Sequence, residues 1–245
     1  MVIKSIIMKG PFFKVSEMLK GNIPMIDAHV HTELTDGKGT IEDYIHKAKE
    51  LGLTSMSFTE HADDNSTYYE DYIAKKEYYR EIALPIIVYF GIEVKVAHTD
   101  GKINMCTAKA QMADFVVGVL HRYPDGNGGY HSFKELDPAW AMNCDYELSK
   151  ELIKNPDVDV FGHPAGVYSS IFGKYDTERL RELVTLAAEN NKVVELNSAE
   201  RYRHAFPIIF QRCVELDCLV SIGSDAHTTD RLGHVVNHLR KYLNK

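Results

Sequence analysis

Short apolar runs rich in β-branched residues alternate along the chain with longer amphipathic stretches. MIDAHVH precedes TIEDYIHKAKELGL, SMSFTEH precedes a polar tyrosine-rich segment, VDVFGHP precedes DTERLRELVTLAAENN, and KVVELNS precedes AFPIIFQRCVELD; IIVYFGIE, DFVVGVLH and LVSIGSDAH complete the set. The runs are of strand length and nearly continuous in hydrophobicity, as strands buried on both faces are. Seven such runs interleaved with helical patterns predict parallel βα units, and a parallel α/β barrel of seven strands, or an irregular eight, closes that count.

Local signals sharpen several elements. Thr40 before Ile41-Glu42-Asp43 offers N-cap chemistry with acids in the first helical turn, and Gly52 ends that helix. Asp176 and Thr177 start a second helix, which Asn190-Asn191 close. Asp100-Gly101 sits between alternating residues of VKVAHTDGKINM and predicts a hairpin inserted after the third strand. GNGGYHS near residue 126 is a glycine-rich loop without the Gly-Lys-Ser/Thr ending of a phosphate-cradling P-loop. KGNIP separates an N-terminal extension, residues 1–23, from a single domain over 24–245.

Composition narrows the function classes. With 245 residues, 44% hydrophobic and 26% charged, the chain can bury one large core. A net charge of -7 leaves no broad electrostatic footprint for long nucleic acid, so a small anionic substrate needs a local source of positive charge. Metal ions can supply it. Cys106, Cys144, Cys213 and Cys218 lack Cys-x-x-Cys spacing and read as reduced thiols. The N-terminus does not read as a signal peptide, and no run approaches the roughly 18 apolar residues of a membrane span. A cytoplasmic protein is expected.

Candidate chemistry gathers where the runs end. His29 and His31, at i and i+2, point to one face of a strand and can chelate. His61, Glu93, His121, His163, Asn197 (with Glu195 before it), Asp225 and His227 end the other runs, and Asp36 follows the first. Each has a bland reading alone, as a capping, turn or surface residue. In a parallel barrel, however, all strand carboxyl ends share one face, so residues nearly 200 positions apart converge on one pocket. Six histidines and three acids exceed what one ion holds. Two or three divalent ions are expected, and an all nitrogen and oxygen set suits zinc, iron or manganese.

DAHVHTELTDG, SFTEH, FGIE, GVLH, FGHP and SIGSDAH, in this order over residues 25–228, resemble the polymerase and histidinol phosphatase (PHP) domain family. The resemblance implies a distorted (β/α)7 barrel with a trinuclear metal site that hydrolyses phosphoesters. It implies that His29, His31, Glu93 and Asp225 hold one ion, that Glu93 bridges to a second held by His121 and His163, and that Asp36, His61 and His227 hold a third; many relatives carry histidine where Asp36 stands. Two cations about 3.5–4 Å apart can activate a bridging hydroxide for in-line attack and stabilise the leaving oxygen, with Glu93, Asp225 and His227 at the reacting centre. No phosphoenzyme is required.

The expected reaction is hydrolysis of a small phosphomonoester in the manner of a histidinol phosphatase. The second reading is a phosphodiesterase or exonuclease on nucleotides or short oligonucleotides; an amidohydrolase barrel and a non-catalytic metal-binding domain rank lower. Arg201 and Arg203, in the loop NSAERYRHAFP, are candidates for clamping phosphate through paired guanidinium donors. Arg122 and Tyr123 are weaker pocket candidates. The five tyrosines of STYYEDYIAKKEYYREI are expected to pack their helix onto the barrel. His46, His98, His131, His234 and His238 fall away from the predicted strand ends.

Overall fold

The computed structural model describes residues 10–21 and 23–244. Eight strands form one sheet: β1 (Phe13–Lys14), β2 (Ile26–Val30), β3 (Ser55–His61), β4 (Ile87–Lys95), β5 (Val116–Val119), β6 (Val160–Phe161), β7 (Val193–Asn197) and β8 (Leu219–Gly223). Their spatial order is β1-β8-β7-β6-β5-β4-β3-β2, so seven strands run parallel in sequence order, with helices in the crossovers. Only β1, which comes from the N-terminal extension, is antiparallel; it pairs Phe13 with Val220 and Lys14 with Leu219.

That short strand bears on closure. It occupies the edge of β8 where β2 would have to pair to complete a ring, so among the described residues no ladder joins β2 to β8 and the sheet stays open. The two edges pack together where Gly223 of β8 meets His29 of β2, and bridges join them beyond β8. There Val30 bridges Ala226 and Lys38 bridges Thr228; the His31 N–H donates to Ala226 O at 2.9 Å and the Lys38 N–H to His227 O at 2.7 Å. The seam is therefore stitched at the carboxyl ends of the strands.

Alternation along the strands divides the barrel interior by depth. Tyr89, Gly91 and Glu93 share a face of β4, as do Val193, Glu195 and Asn197 on β7 and Leu219, Ser221 and Gly223 on β8. Phe115, Val117, Val119, Val160 and Val193 form a separate apolar cluster that begins at the amino-terminal ends of β6 and β7 and reaches the last residue of β5; Phe12 joins it, its ring meeting Phe115 edge-on at 5.1 Å. Toward the carboxyl ends the inward positions turn polar. The larger core lies between strands and helices, with Tyr69, Tyr72 and Tyr79 of helix Tyr69–Glu81 buried in it. The Tyr72 hydroxyl donates to Gly91 O at 2.7 Å; of the five tyrosines expected to pack, these three do, Tyr68 is half-buried and Tyr78 faces solvent.

Thr40 and Asp43 form a reciprocal capping box at helix Ile41–Glu50, and Gly52 follows it in the left-handed region. The Asp176 side chain accepts from the Arg179 N–H at the start of helix Thr177–Glu189. Around Asp100-Gly101 the hairpin reduces to a tight turn with one bridge, Val96 to Ile103. All four cysteines are free, with Cys213 and Cys218 buried. No helix among the described residues is long and apolar enough to cross a membrane.

Candidate metal centre

Register and parity assemble the centre. In the β3–β4 ladder His61 stands directly beside Glu93. His29 lies within β2 and His31 one residue past it, on the same face. His121, His163 and Asp225 each lie two residues beyond their strands, and His227 four beyond. His163, at φ 26°, and Asp225, at φ 54°, sit in the left-handed region that few non-glycine residues adopt, a strain that clusters at sites where side-chain aim matters. Asp36 enters from the loop after β2. That loop turns so tightly that a Cβ on Gly37 would lie 2.2 Å from His31 O.

All nine expected side chains come together. His29 Nε2 and His31 Nε2 face each other at 3.1 Å, with Asp225 Oδ1 3.8 and 3.5 Å from them. Glu93 spans two groups: Oε1 lies 2.9 Å from His163 Nε2, 3.4 Å from His121 Nε2 and 3.5 Å from His29 Nε2, while Oε2 lies 2.5 Å from His61 Nδ1. Asp36 Oδ2 is 3.3 Å from His61 Nε2, and its Oδ1 is 3.3 Å from His227 Nε2.

Ligand atoms close enough to share an ion fall into three sets: His29, His31 and Asp225; His61, Glu93 and His121; and His31, Asp36, His61 and His227. The partition differs from the expected one at four residues: Glu93 enters one set rather than bridging two, His61 joins it there by ladder register, His31 is shared with the Asp36 set, and His163 reaches Glu93 without entering a set. The donors fit divalent ions on structural grounds. Two imidazole nitrogens turned toward each other at 3.1 Å match the roughly 3.3 Å edge of a tetrahedral zinc shell. The buried His31 Nδ1 and His163 Nδ1 also lack a hydrogen-bond partner among the described residues.

The electrostatics match. Burial works to raise the carboxyls of Glu93 and Asp225, but the surrounding histidines hold both well below the usual carboxylate range. Burial and its histidine neighbours push His31 down to about 4, although Asp225 and Glu93 oppose this. His29 is equally buried, yet Glu195, then Glu93 and Asp225, carry it up to about 10.

Glu195 is the residue that strand-end reasoning left without a role. Its Oε1 lies 2.6 Å from His29 Nδ1 and its Oε2 accepts the His163 N–H at 2.5 Å. A proton held on Nδ1 leaves the Nε2 lone pair of His29 for the cluster. The signal available in the sequence was parity: Glu195 shares the inward face with Asn197.

The two loop arginines part company. Arg201 pairs with Asp225, lies 4.8 Å from the Tyr202 ring centroid and lines the cleft over the cluster. Arg203 instead pairs with Glu200 at 2.6 Å, is 61% exposed at its side chain and lies off the cleft. Arg122 packs over Tyr130 and Phe133, while Tyr123 is buried and donates to Asp145 at 3.0 Å. The cleft, of about 330 Å³, holds Glu93, His121, His163, Asp225 and His227 on one side.

Over 236 residues the chain is 25% identical to "Probable histidinol-phosphatase" of Thermotoga maritima, covering 90% of this chain and 92% of that one. It is 25% identical over 227 residues to "Probable phosphatase" of Caldicellulosiruptor bescii, covering 85% and 82%. The fold superposes with a TM-score of 0.65 and 18% identity on histidinol phosphate phosphatase from Lactococcus lactis, solved with zinc, L-histidinol and phosphate, covering 89% of this chain and 93% of that one. The PHP domain model matches residues 27–199, which include seven of the nine clustered side chains, and the chain therefore belongs to the PHP domain family.

Proposed function

We propose that the chain is a metal-dependent phosphatase that hydrolyses a small phosphomonoester by direct attack of water, with two or three divalent ions of the zinc, iron or manganese type. The observation that carries this reading is the convergence of six histidines and three carboxylates in one cluster, four of the histidines and all three carboxylates lining a cleft that also receives a guanidinium. Bound there, the ions supply charge neutralisation for the phosphoryl group and lower the pKa of a water beside it. The remaining work falls to the chain. Glu93 presents its two oxygens to different histidines, Oε1 to His163 and Oε2 to His61, and would hold an ion together with His61 and His121. Glu195 keeps His29 in the ligating tautomer. Arg201, already drawn to Asp225, is placed to pair with phosphoryl oxygens as they gain charge.

Relatives named as histidinol phosphatases make histidinol phosphate the first substrate to test. One observation favours a nucleotide or short oligonucleotide as the second reading. Beyond Arg201 and Asp225 lies another basin of about 570 Å³ that carries Arg231, His234 and Lys241, with room for a further phosphate. The test is phosphate release by the metal-loaded protein from histidinol phosphate, mononucleotides and a short single strand. Release from monoesters with the strand left intact supports the proposal. Cleavage of the strand alone moves the reading to a phosphodiesterase, and no release from any of them overturns it.

A further inference from the structure

Two unlike sets of side chains line the cleft over the cluster. One is the ligand set with Arg201; the other is the apolar group Leu120, Phe133, Val167 and Ile171, with Ser170 and Tyr202 also in the lining. Val167 and Ile171 come from helix Gly166–Phe172, one turn apart on the same face, and Phe133 opens the short helical turn Phe133–Glu135. Ile171 is 43% exposed, among the large apolar side chains left open to solvent. An aliphatic side chain standing open inside a polar cleft is what a ligand's apolar part would cover.

Charge narrows this ligand further. Among the residues lining the cleft, the carboxylates are Asp36, Glu93 and Asp225, all committed to the cluster, and Arg201 is the fixed cation. An ammonium group on the leaving alcohol would meet Arg201 and apolar side chains with no free carboxylate to pair it. Burying it there would cost desolvation without compensation.

The geometry points to a phosphomonoester whose alcohol is uncharged and apolar, alkyl or aryl, with helix Gly166–Phe172 and Phe133 as its specificity wall. This rests on the phosphomonoesterase reading and sets the chain apart from enzymes that release an amino alcohol. The reaction supplying such a substrate would be phosphorylation of a neutral, apolar alcohol.

The test uses two phosphonates of nearly equal size, n-butylphosphonate and 3-aminopropylphosphonate, titrated calorimetrically into the zinc-loaded protein. Tighter binding of the butyl compound by at least tenfold is expected. Ile171→Asp should shift that ratio toward the amine by tenfold or more, and Ile171→Ala should weaken the butyl compound severalfold; the residue's exposure lets both variants fold. Equal affinities, preference for the amine, an unmoved ratio in Ile171→Asp, or no binding of either compound overturns the inference. Phosphate release from n-butyl phosphate and histidinol phosphate is measured alongside. Absence of release with the binding preference intact would remove the phosphatase reading and leave the apolar wall standing.

Discussion

At the scale of single residues, the centre depends on groups that do not themselves face the ions. Glu195 fixes the tautomer of His29 and holds the backbone at His163, so Glu195→Gln is expected to weaken zinc affinity about 10- to 100-fold. Competition against a chelator, with circular dichroism as the check on folding, measures this; unchanged affinity would contradict it. Asp145 is a different case. Burial pushes its carboxyl from 3.8 up to about 6, opposed by the hydroxyls of Tyr123 and Tyr175. The folded state therefore keeps a proton that the unfolded state has released. The resulting stability is present below pH 4 and is lost as pH rises through 6, amounting to about 3 kcal/mol. In Asp145→Asn that loss should disappear from the difference between urea denaturation at pH 4.5 and pH 7; an unaltered difference would contradict the account. The nine clustered side chains were legible in the sequence because parallel strands end on one face, and Glu195 was legible only as an inward position beside Asn197. Its pairing with His29 and the burial of Asp145 were not, since burial and partner are properties of the fold.

At the scale of elements, strand register does the aiming. The β3–β4 ladder makes neighbours of His61 and Glu93, and the face of β8 must stay empty where His29 and Glu195 meet. A Cβ on Gly223 would lie 2.5 Å from His29 Cβ and 2.6 Å from Glu195 Oε1. Gly223→Ala should therefore destabilise the fold by about 1–3 kcal/mol and weaken metal binding together. Denaturant melts and chelator competition test this, and a variant with both values unchanged would refute the close packing. The alternation of apolar runs and helical patterns revealed the seven parallel strands and their order, because each buried strand reads as a continuous hydrophobic run. Loop orientation was not legible in the same way. Arg201 and Arg203 are chemically alike, and only the turn at Glu200–Tyr202 decides which one meets the cleft.

At the scale of the whole molecule, the barrel separates support from chemistry along its axis. Phe12 and the inner apolar cluster start from the amino-terminal end, while the polar inward positions gather at the other, where bridges beyond β8 stitch the seam. The open edge was not legible, since it follows from a two-residue strand supplied by the N-terminal extension. Convergence of distant residues was legible, because parallel strands can only end together. The chain's acidity adds a reason for that convergence: with a net charge of -7, attraction for an anion must be local, from Arg201 and from cations the cluster can hold. The most direct test follows phosphate release from an aryl phosphomonoester as zinc is titrated into chelator-stripped protein, beside a His29→Ala/His31→Ala variant. The account predicts no release without metal, a rise that saturates at two or three equivalents, and no such rise in the variant. Full turnover by the stripped protein, or a variant titrating like the parent, would contradict it.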